Sequence, residues 1–203
     1  MPPTSKAILF VIGKPDGHVA EASLLRRILI TGRQAGLQEW HLLIWNDPTK
    51  VRSSLMAKPD LGDIVCHLYD MCEVAQTPWA DVLPAEEVMV MSAATDVELQ
   101  WICALQTYTA TTLGLARSAL EEHNPVLDRM RNLVGQAHDD LETDRLAAQS
   151  TVILRCYGTL LGHILDDRRE KLMTQHDPMP VVIAELMEFA DLKMLDLQSG
   201  QGR

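Results

Sequence analysis

Short runs that consist mainly of hydrophobic residues mark the strands expected in the first half of the chain. The run over residues 7–12 is continuous, and the runs over 40–45 and 87–91 each include one polar residue, His41 and Glu87. A run of about six apolar residues with no polar face is typical of a strand that is buried on both sides of a sheet. Gly13 ends the first of these runs. The pattern therefore predicts three buried strands.

Helical patterns lie between these runs. Apolar residues at helical spacing predict a helix over residues 19–35, and Gly36 is suited to its C-terminal end. Asp47 and Pro48 are the residue types expected at the cap and first position of another helix. Residues 63–75 fit one face of a helix, but they equally fit a short strand that passes into a helix. Strands that alternate with helices predict right-handed crossovers and a parallel sheet.

The pattern changes after residue 94, where helical stripes replace these runs. Thr95 and Glu98 have the spacing of a capping box. Gly158 and Gly162 lie on one of the later stripes, where they would let a second helix approach closely. Helical patterns are expected over 97–120, from Asn124 onward, over 141–172 and over 181–197.

We therefore predict an α/β protein with two parts. The first, residues 1–94, is a Rossmann-like parallel sheet unit that could sense a ligand. The second, residues 95–203, is a C-terminal α-helical bundle whose long helices would form a homodimer. The low aromatic content of 4% agrees with a second half packed through Leu, Ala and Met.

The charge of the chain limits its partners. The 18 Lys and Arg against 28 Asp and Glu give a formal net charge of −10. A broad basic surface for duplex nucleic acid is therefore excluded, although a few local arginines could still hold a phosphate.

The sequence predicts a cytoplasmic protein without a membrane partner. The apolar run near the N-terminus is too short for a signal peptide or a membrane helix. Cys66, His67 and Cys72 are three soft metal ligands, but zinc sites usually draw four ligands from paired clusters, so buried cysteines are the preferred interpretation. No metal site and no cofactor are predicted.

Candidate ligand-binding residues follow the predicted strands, because ligands of open α/β sheets bind beyond the carboxyl ends of the strands. The loop after the first strand combines a cation, a carboxylate and an imidazole with two glycines that permit close backbone approach. An ordinary polar turn would also explain this loop. The candidate residues are Lys14, Asp16, His18, Asn46, Ser92 and Thr95.

A second candidate lies in the predicted helical half. Arg131 and His138 are seven residues apart, so on a helix both side chains would lie on one face, about 10 Å apart along the axis. Arginine can hold a phosphate through two N–H groups, and histidine can exchange protons near neutral pH. A solvated arginine and histidine on an amphipathic helix is the alternative interpretation.

The segment from Arg131 and Asn132 to His138 resembles the R-x4–6-H motif of HEPN ribonucleases, and a preceding α/β unit resembles the CARF sensor domain of CRISPR-associated ribonucleases. The resemblance implies a nucleotide-responsive regulator or a metal-independent ribonuclease, active as a homodimer. It would bind a nucleotide ligand through the first-half loops and cleave single-stranded RNA at these three residues.

Two alternatives from other functional classes stay open at this point. The chain could be a non-catalytic interaction or assembly subunit of a bacterial or phage complex, with a helical half that only binds partners. It could also be a small-molecule-binding regulatory protein whose ligand contacts Lys14, Asp16 and His18.

Overall fold

The fold was obtained as a computed structural model. The structure describes residues 4–11, 22–45, 48–56, 61–71, 78–93, 97–108, 111–116, 151–174, 178–189 and 193–197. The strands in these residues are β1 Lys6–Val11, β2 Glu39–Ile44, β3 Val65–Asp70, β4 Glu87–Ser92, β5 Thr112–Ala116, β6 Thr151–Tyr157 and β7 Lys193–Leu197. The helices are α1 Ala22–Gln34, α2 Pro48–Met56, α3 Trp79–Val82, α4 Leu99–Gln106, α5 Gly158–Asp167, α6 Arg169–Thr174 and α7 Met179–Phe189.

All of these strands form one mixed sheet in the order β3-β2-β1-β4-β6-β5-β7. Strands β1 to β4 are parallel to one another. Strand β6 is antiparallel to its neighbours β4 and β5, and β5 and β7 are parallel. The described part of the chain is thus an α/β protein in which a parallel four-stranded portion is extended by three further strands.

Both faces of the sheet are covered, as the alternation of side chains along β1 shows. Ile8 and Phe10 belong to a core that includes residues of α3, α5 and α7. Ala7 and Leu9 point to the other face, where the core includes residues of α1, α2 and α4. Burial on both faces explains why the central strands have mainly apolar sequences.

The strand and helix predictions for the first half are confirmed. Each of the three runs coincides with a strand of the sheet to within one residue at either end, and α2 begins at Pro48. Gly36 follows α1 with a φ of +91°, a value that glycine adopts without steric cost. The ambiguous stretch 63–75 contains the strand β3. Because β3 is the outermost strand on one side of the sheet, none of its residues is fully buried, and its sequence lacks a continuous apolar run.

The helical bundle predicted for residues 95–203 is not confirmed. Strands β5, β6 and β7 all lie in this half and belong to the sheet. The five consecutive residues 152–156 are all buried, so this stretch lacks the exposed face of an amphipathic helix. Val152 and Ile153 are also β-branched, which favours a strand. In the described part of the expected helix over 141–172, residues 151–157 form β6, and α5 begins at Gly158. The division at residue 94 remains a prediction, and β4 and β6 pair across it.

Close packing at Gly162 is confirmed. A Cβ atom at this position would lie 2.5 Å from the Cα of Ala80, so the absence of a side chain lets α3 approach α5. Asp166, also on α5, accepts hydrogen bonds from the backbone N–H groups of Trp79 and Ala80 at 2.9 and 3.3 Å. These contacts hold the first turn of α3 against the second half of the chain.

A buried arginine joins the two halves of the sheet near the start of β4. Arg155 on β6 is only 1% exposed, and its guanidinium is paired with the carboxylate of Glu87. It also donates hydrogen bonds to the carbonyl oxygens of Leu105, Gln106 and Tyr108 at the end of α4. Each guanidinium nitrogen therefore has a partner, as burial of a charge requires.

Within the described residues, no helix is sufficiently long and apolar to traverse a membrane.

Candidate functional site

The carboxyl end of the sheet, where β1 to β4 terminate, has the topology of a ligand-binding crevice. From β1 the chain moves outward to β2 and β3, and it then returns to place β4 on the opposite side of β1. Ligands of open α/β sheets bind beyond the strand ends at such a reversal of strand order. The structure therefore directs attention to the end of the sheet near Val11 and Ser92.

The sequence-predicted ligand residues belong to segments that leave the sheet at this end. Ser92 is the last residue of β4; it is buried and pairs in register with Phe10. The other five, Lys14, Asp16, His18, Asn46 and Thr95, lie outside the described residues. The segments that hold them directly follow the parallel strands β1, β2 and β4. Their attachment to one end of the sheet agrees with the sequence analysis, and their roles stay predictions.

The segment 117–150 is also attached to the carboxyl end. It follows β5, and Ala116 at the end of β5 pairs with Thr151 at the start of β6. The segment thus leaves and re-enters the sheet between two adjacent strand positions. Arg131, Asn132 and His138 lie within it, outside the described residues.

A different group of polar residues lies near the amino end of the sheet, where β1 to β4 begin. Glu39 and His41 alternate on β2, and His41 is in register with His67 on β3. A carboxylate oxygen of Glu39 lies 3.2 Å from Nε2 of His41 and 3.5 Å from Nε2 of His67. The two imidazole rings are stacked with centroids 4.8 Å apart. We call these three residues the histidine cluster.

Tyr69 and Lys6 complete the surroundings of the histidine cluster. The Tyr69 hydroxyl lies 3.1 Å from Nδ1 of His41, on the side of the ring away from Glu39. The Lys6 ammonium lies 3.5 Å from the second carboxylate oxygen of Glu39. Burial lowers the pKa of His41, to which the neighbouring His67 also contributes. Burial raises the pKa of the Tyr69 hydroxyl, to which the Glu39 carboxylate also contributes.

The histidine cluster could not be predicted from the sequence, because its members come together only through strand pairing. His67 is next to Cys66 in the sequence, but consecutive residues of a strand point to opposite faces. Cys66 packs with the core under α1 and α2, and burial raises the pKa of its thiol to about 11. The available signal was the alternation of polar residues Glu39 and His41, which indicates a strand face that is not purely apolar.

Comparison with known proteins identifies the fold but no family. No family model matches the sequence, and no curated protein matches it. The structure is similar to the inositol-1-phosphate CTP transferase from T. maritima, with a TM-score of 0.58 and 10% sequence identity over 98% of this chain and 87% of that chain. A nucleotidyl transferase from Methanothermobacter thermautotroptrophicus is similar with a TM-score of 0.49 and 7% identity over 97% of this chain and 87% of that chain.

The comparison corrects the interpretation as a CARF–HEPN ribonuclease. The similarity to the CTP transferase spans 98% of the chain, including the half that the resemblance assigned to a helical nuclease. The described residues of that half contribute three strands to the sheet, which a helical bundle does not contain. The assignments as a nuclease, as HEPN-like and as CRISPR-associated are therefore wrong. The assembly subunit and the small-molecule-binding regulator receive no better support, and the homodimer stays a prediction.

Proposed function

We propose that the chain is a nucleotidyl transferase that acts on a phosphorylated small molecule. The observation that carries the proposal is the fold similarity to the inositol-1-phosphate CTP transferase, which covers nearly the whole of both chains. In the proposed reaction, an oxygen of the acceptor's phosphate attacks the α-phosphorus of a nucleoside triphosphate. The bond from this phosphorus to the β-phosphate bridge breaks, and pyrophosphate leaves with the electron pair.

The proposed position of the triphosphate is the carboxyl end of the sheet, between β1 and β4. The reversal of strand order at this position supports the assignment. The segment after β1 carries Lys14 between two glycines, and a lysine beside backbone that can approach closely is suited to hold phosphate oxygens. Because the chain has a net charge of −10, we expect binding to depend strongly on such single cations.

Two acidic residues in the segments that follow β1 and β4 have a separate proposed role. Asp16 and Asp96 lie in the segments that follow β1 and β4. Carboxylates suit a hard divalent cation, which enters such sites together with the phosphates of its nucleotide. We therefore propose that magnesium is brought by the substrate and that these carboxylates assist in its placement.

The test is an assay of pyrophosphate release. The full chain would be incubated with magnesium, each nucleoside triphosphate in turn, and a set of sugar, inositol and alcohol phosphates. We expect release that requires both a triphosphate and a phosphorylated acceptor, and that decreases in Lys14→Gln. Lys193→Gln alters an exposed lysine on β7 at the outer side of the sheet and serves as the matched control. Absence of acceptor-dependent release with folded protein would overturn the proposal.

A further inference from the structure

We infer that the histidine cluster, Glu39, His41 and His67, is a binding site for a zinc ion. The inference rests on the geometry at the amino end of the sheet and is independent of the proposed transferase activity at the carboxyl end. Each of the three side chains offers one ligand atom, and the three ligand atoms lie within 4.8 Å of one another.

The distances suit a single small cation. Two ligand atoms bound to one tetrahedral zinc ion lie about 3.3 Å apart, since each is about 2.0–2.1 Å from the metal. The Glu39 oxygen lies 3.2 Å from Nε2 of His41 and 3.5 Å from Nε2 of His67. Only the separation of the two imidazoles has to adjust, and His67 has room to move because its side chain is 43% exposed.

The chemistry of the ligands favours zinc over magnesium. Two imidazole nitrogens and one carboxylate oxygen form a mixed set that suits zinc, whereas magnesium prefers oxygen ligands and retains its water. Three protein ligands leave the fourth position of a tetrahedron for water. The exposed side of His67 gives an ion a path from solvent and space for this water.

The residues around the cluster orient its ligands. Metal-binding histidines usually donate their second ring N–H to a fixed acceptor. The Tyr69 hydroxyl lies 3.1 Å from Nδ1 of His41 and could accept this hydrogen bond. Tyr69 in turn packs edge-on against the buried Trp79, with centroids 5.9 Å apart. His41 is thereby held with Nε2 toward Glu39, which is the nitrogen that the metal requires.

Lys6 does not prevent binding. Its ammonium contacts the second oxygen of Glu39, so the oxygen between the two histidines remains available. Lys6 also donates hydrogen bonds to the exposed carboxylate of Glu86 at 3.3 and 3.4 Å, which offsets part of its charge. A zinc ion at this position would connect β2 to β3. Strand β3 is the outer strand of the sheet, and Val65 at its start is 52% exposed.

The test is a calorimetric titration with zinc chloride of full-length, metal-free protein expressed without a histidine tag. We expect one high-affinity ion per chain, and no comparable heat with magnesium chloride. In His67→Asn, zinc affinity should fall by about tenfold or more. His163→Asn removes an exposed histidine from α5 and should bind zinc like the wild type. Circular dichroism would confirm that both variants are folded.

Cobalt(II) gives a second readout that does not depend on stability. A tetrahedral cobalt(II) site absorbs visible light much more strongly than the hexahydrated cobalt ion in solution. We expect these bands in the wild type and in His163→Asn, and their loss in Glu39→Gln and His67→Asn. Equal zinc affinity in the wild type and His67→Asn, or no high-affinity zinc binding by the wild type, would overturn the inference.

Discussion

At the carboxyl end of the sheet the candidate functional residues lie mainly on connecting segments, whereas at the amino end they lie within the strands. The carboxyl end has Ser92 and the segments that follow β1, β2 and β4. The amino end has the histidine cluster on β2 and β3, and Arg155 with Glu87 on β6 and β4. Connecting segments are suited to bind a substrate that must enter and leave the site. Positions within paired strands are suited to bind a small ion, because strand pairing fixes their geometry.

The amino end itself contains two kinds of polar group. Arg155 is almost completely buried, and its nitrogens are paired with Glu87 and with carbonyl oxygens of α4. The histidine cluster is partly exposed, and its three ligand atoms lie within 4.8 Å of one another. Arg155, whose nitrogens all have hydrogen-bond partners, is therefore expected to stabilise the fold. The histidine cluster has a ligand position left over and is expected to bind an ion.

The largest expected effect concerns Arg155. Arg155→Met removes the guanidinium that donates to the Glu87 carboxylate and to three carbonyl oxygens, so the free energy of unfolding should fall by about 3–5 kcal/mol. Urea denaturation measures this loss. Arg52→Met, which changes an exposed residue of α2, is the control and should alter stability by less than about 0.5 kcal/mol. A loss below about 1 kcal/mol in Arg155→Met would show that the pairing contributes little.

The next largest effect concerns Lys14 at the carboxyl end. Lys14→Gln would remove the proposed charge-assisted hydrogen bond to a phosphate, so kcat/KM for pyrophosphate release should fall by about 10- to 100-fold. Steady-state assays with the preferred nucleotide measure the change. Unchanged kinetics in this variant would remove Lys14 from the proposed site, even if the chain is a transferase.

A smaller effect is expected for the residue that orients His41. Tyr69→Phe removes the hydroxyl beside Nδ1 while the ring keeps its packing against Trp79. Zinc affinity should fall by about tenfold, the usual lower range for such an orienting group. Calorimetric titration of the folded variant measures the fall. A zinc affinity equal to that of the wild type would show that Tyr69 only fills space.

The smallest effect is expected for His67 in the absence of metal. Its contact with Glu39 is long and partly exposed, and such pairs contribute about 0–1 kcal/mol to stability. His67→Asn should therefore unfold at nearly the same urea concentration as the wild type when both are free of metal. A loss above about 2 kcal/mol would assign His67 a structural role like that of Arg155.

The sequence predicted the parallel portion of the fold because its strands are buried on both faces. Runs that consist mainly of apolar residues identified β1, β2 and β4. Gly36 identified the C-terminal end of α1, and Pro48 identified the start of α2. It failed for β5 to β7, where apolar residues also fitted a helical period. For β6, the burial of successive residues 152–156 comes from the sheet and from α5 and α4 together. Periodicity alone cannot distinguish such a strand from a buried helix.

The two candidate sites differ in how far a sequence can predict them. The candidates at the carboxyl end follow from the polar residues after each predicted strand, because ligands of open α/β sheets bind beyond the carboxyl ends of the strands. They could therefore be proposed without a structure. The histidine cluster depends on the register that places His41 beside His67, two residues 26 positions apart in the chain. No local pattern encodes that register.

The most direct test of the account is a crystal structure of the protein with magnesium and its preferred nucleoside triphosphate. We predict that the triphosphate binds at the carboxyl end of the sheet, beyond Val11 and Ser92 and beside the segment that contains Lys14. A triphosphate bound at the amino end, against the histidine cluster, would contradict the assignment of the two ends.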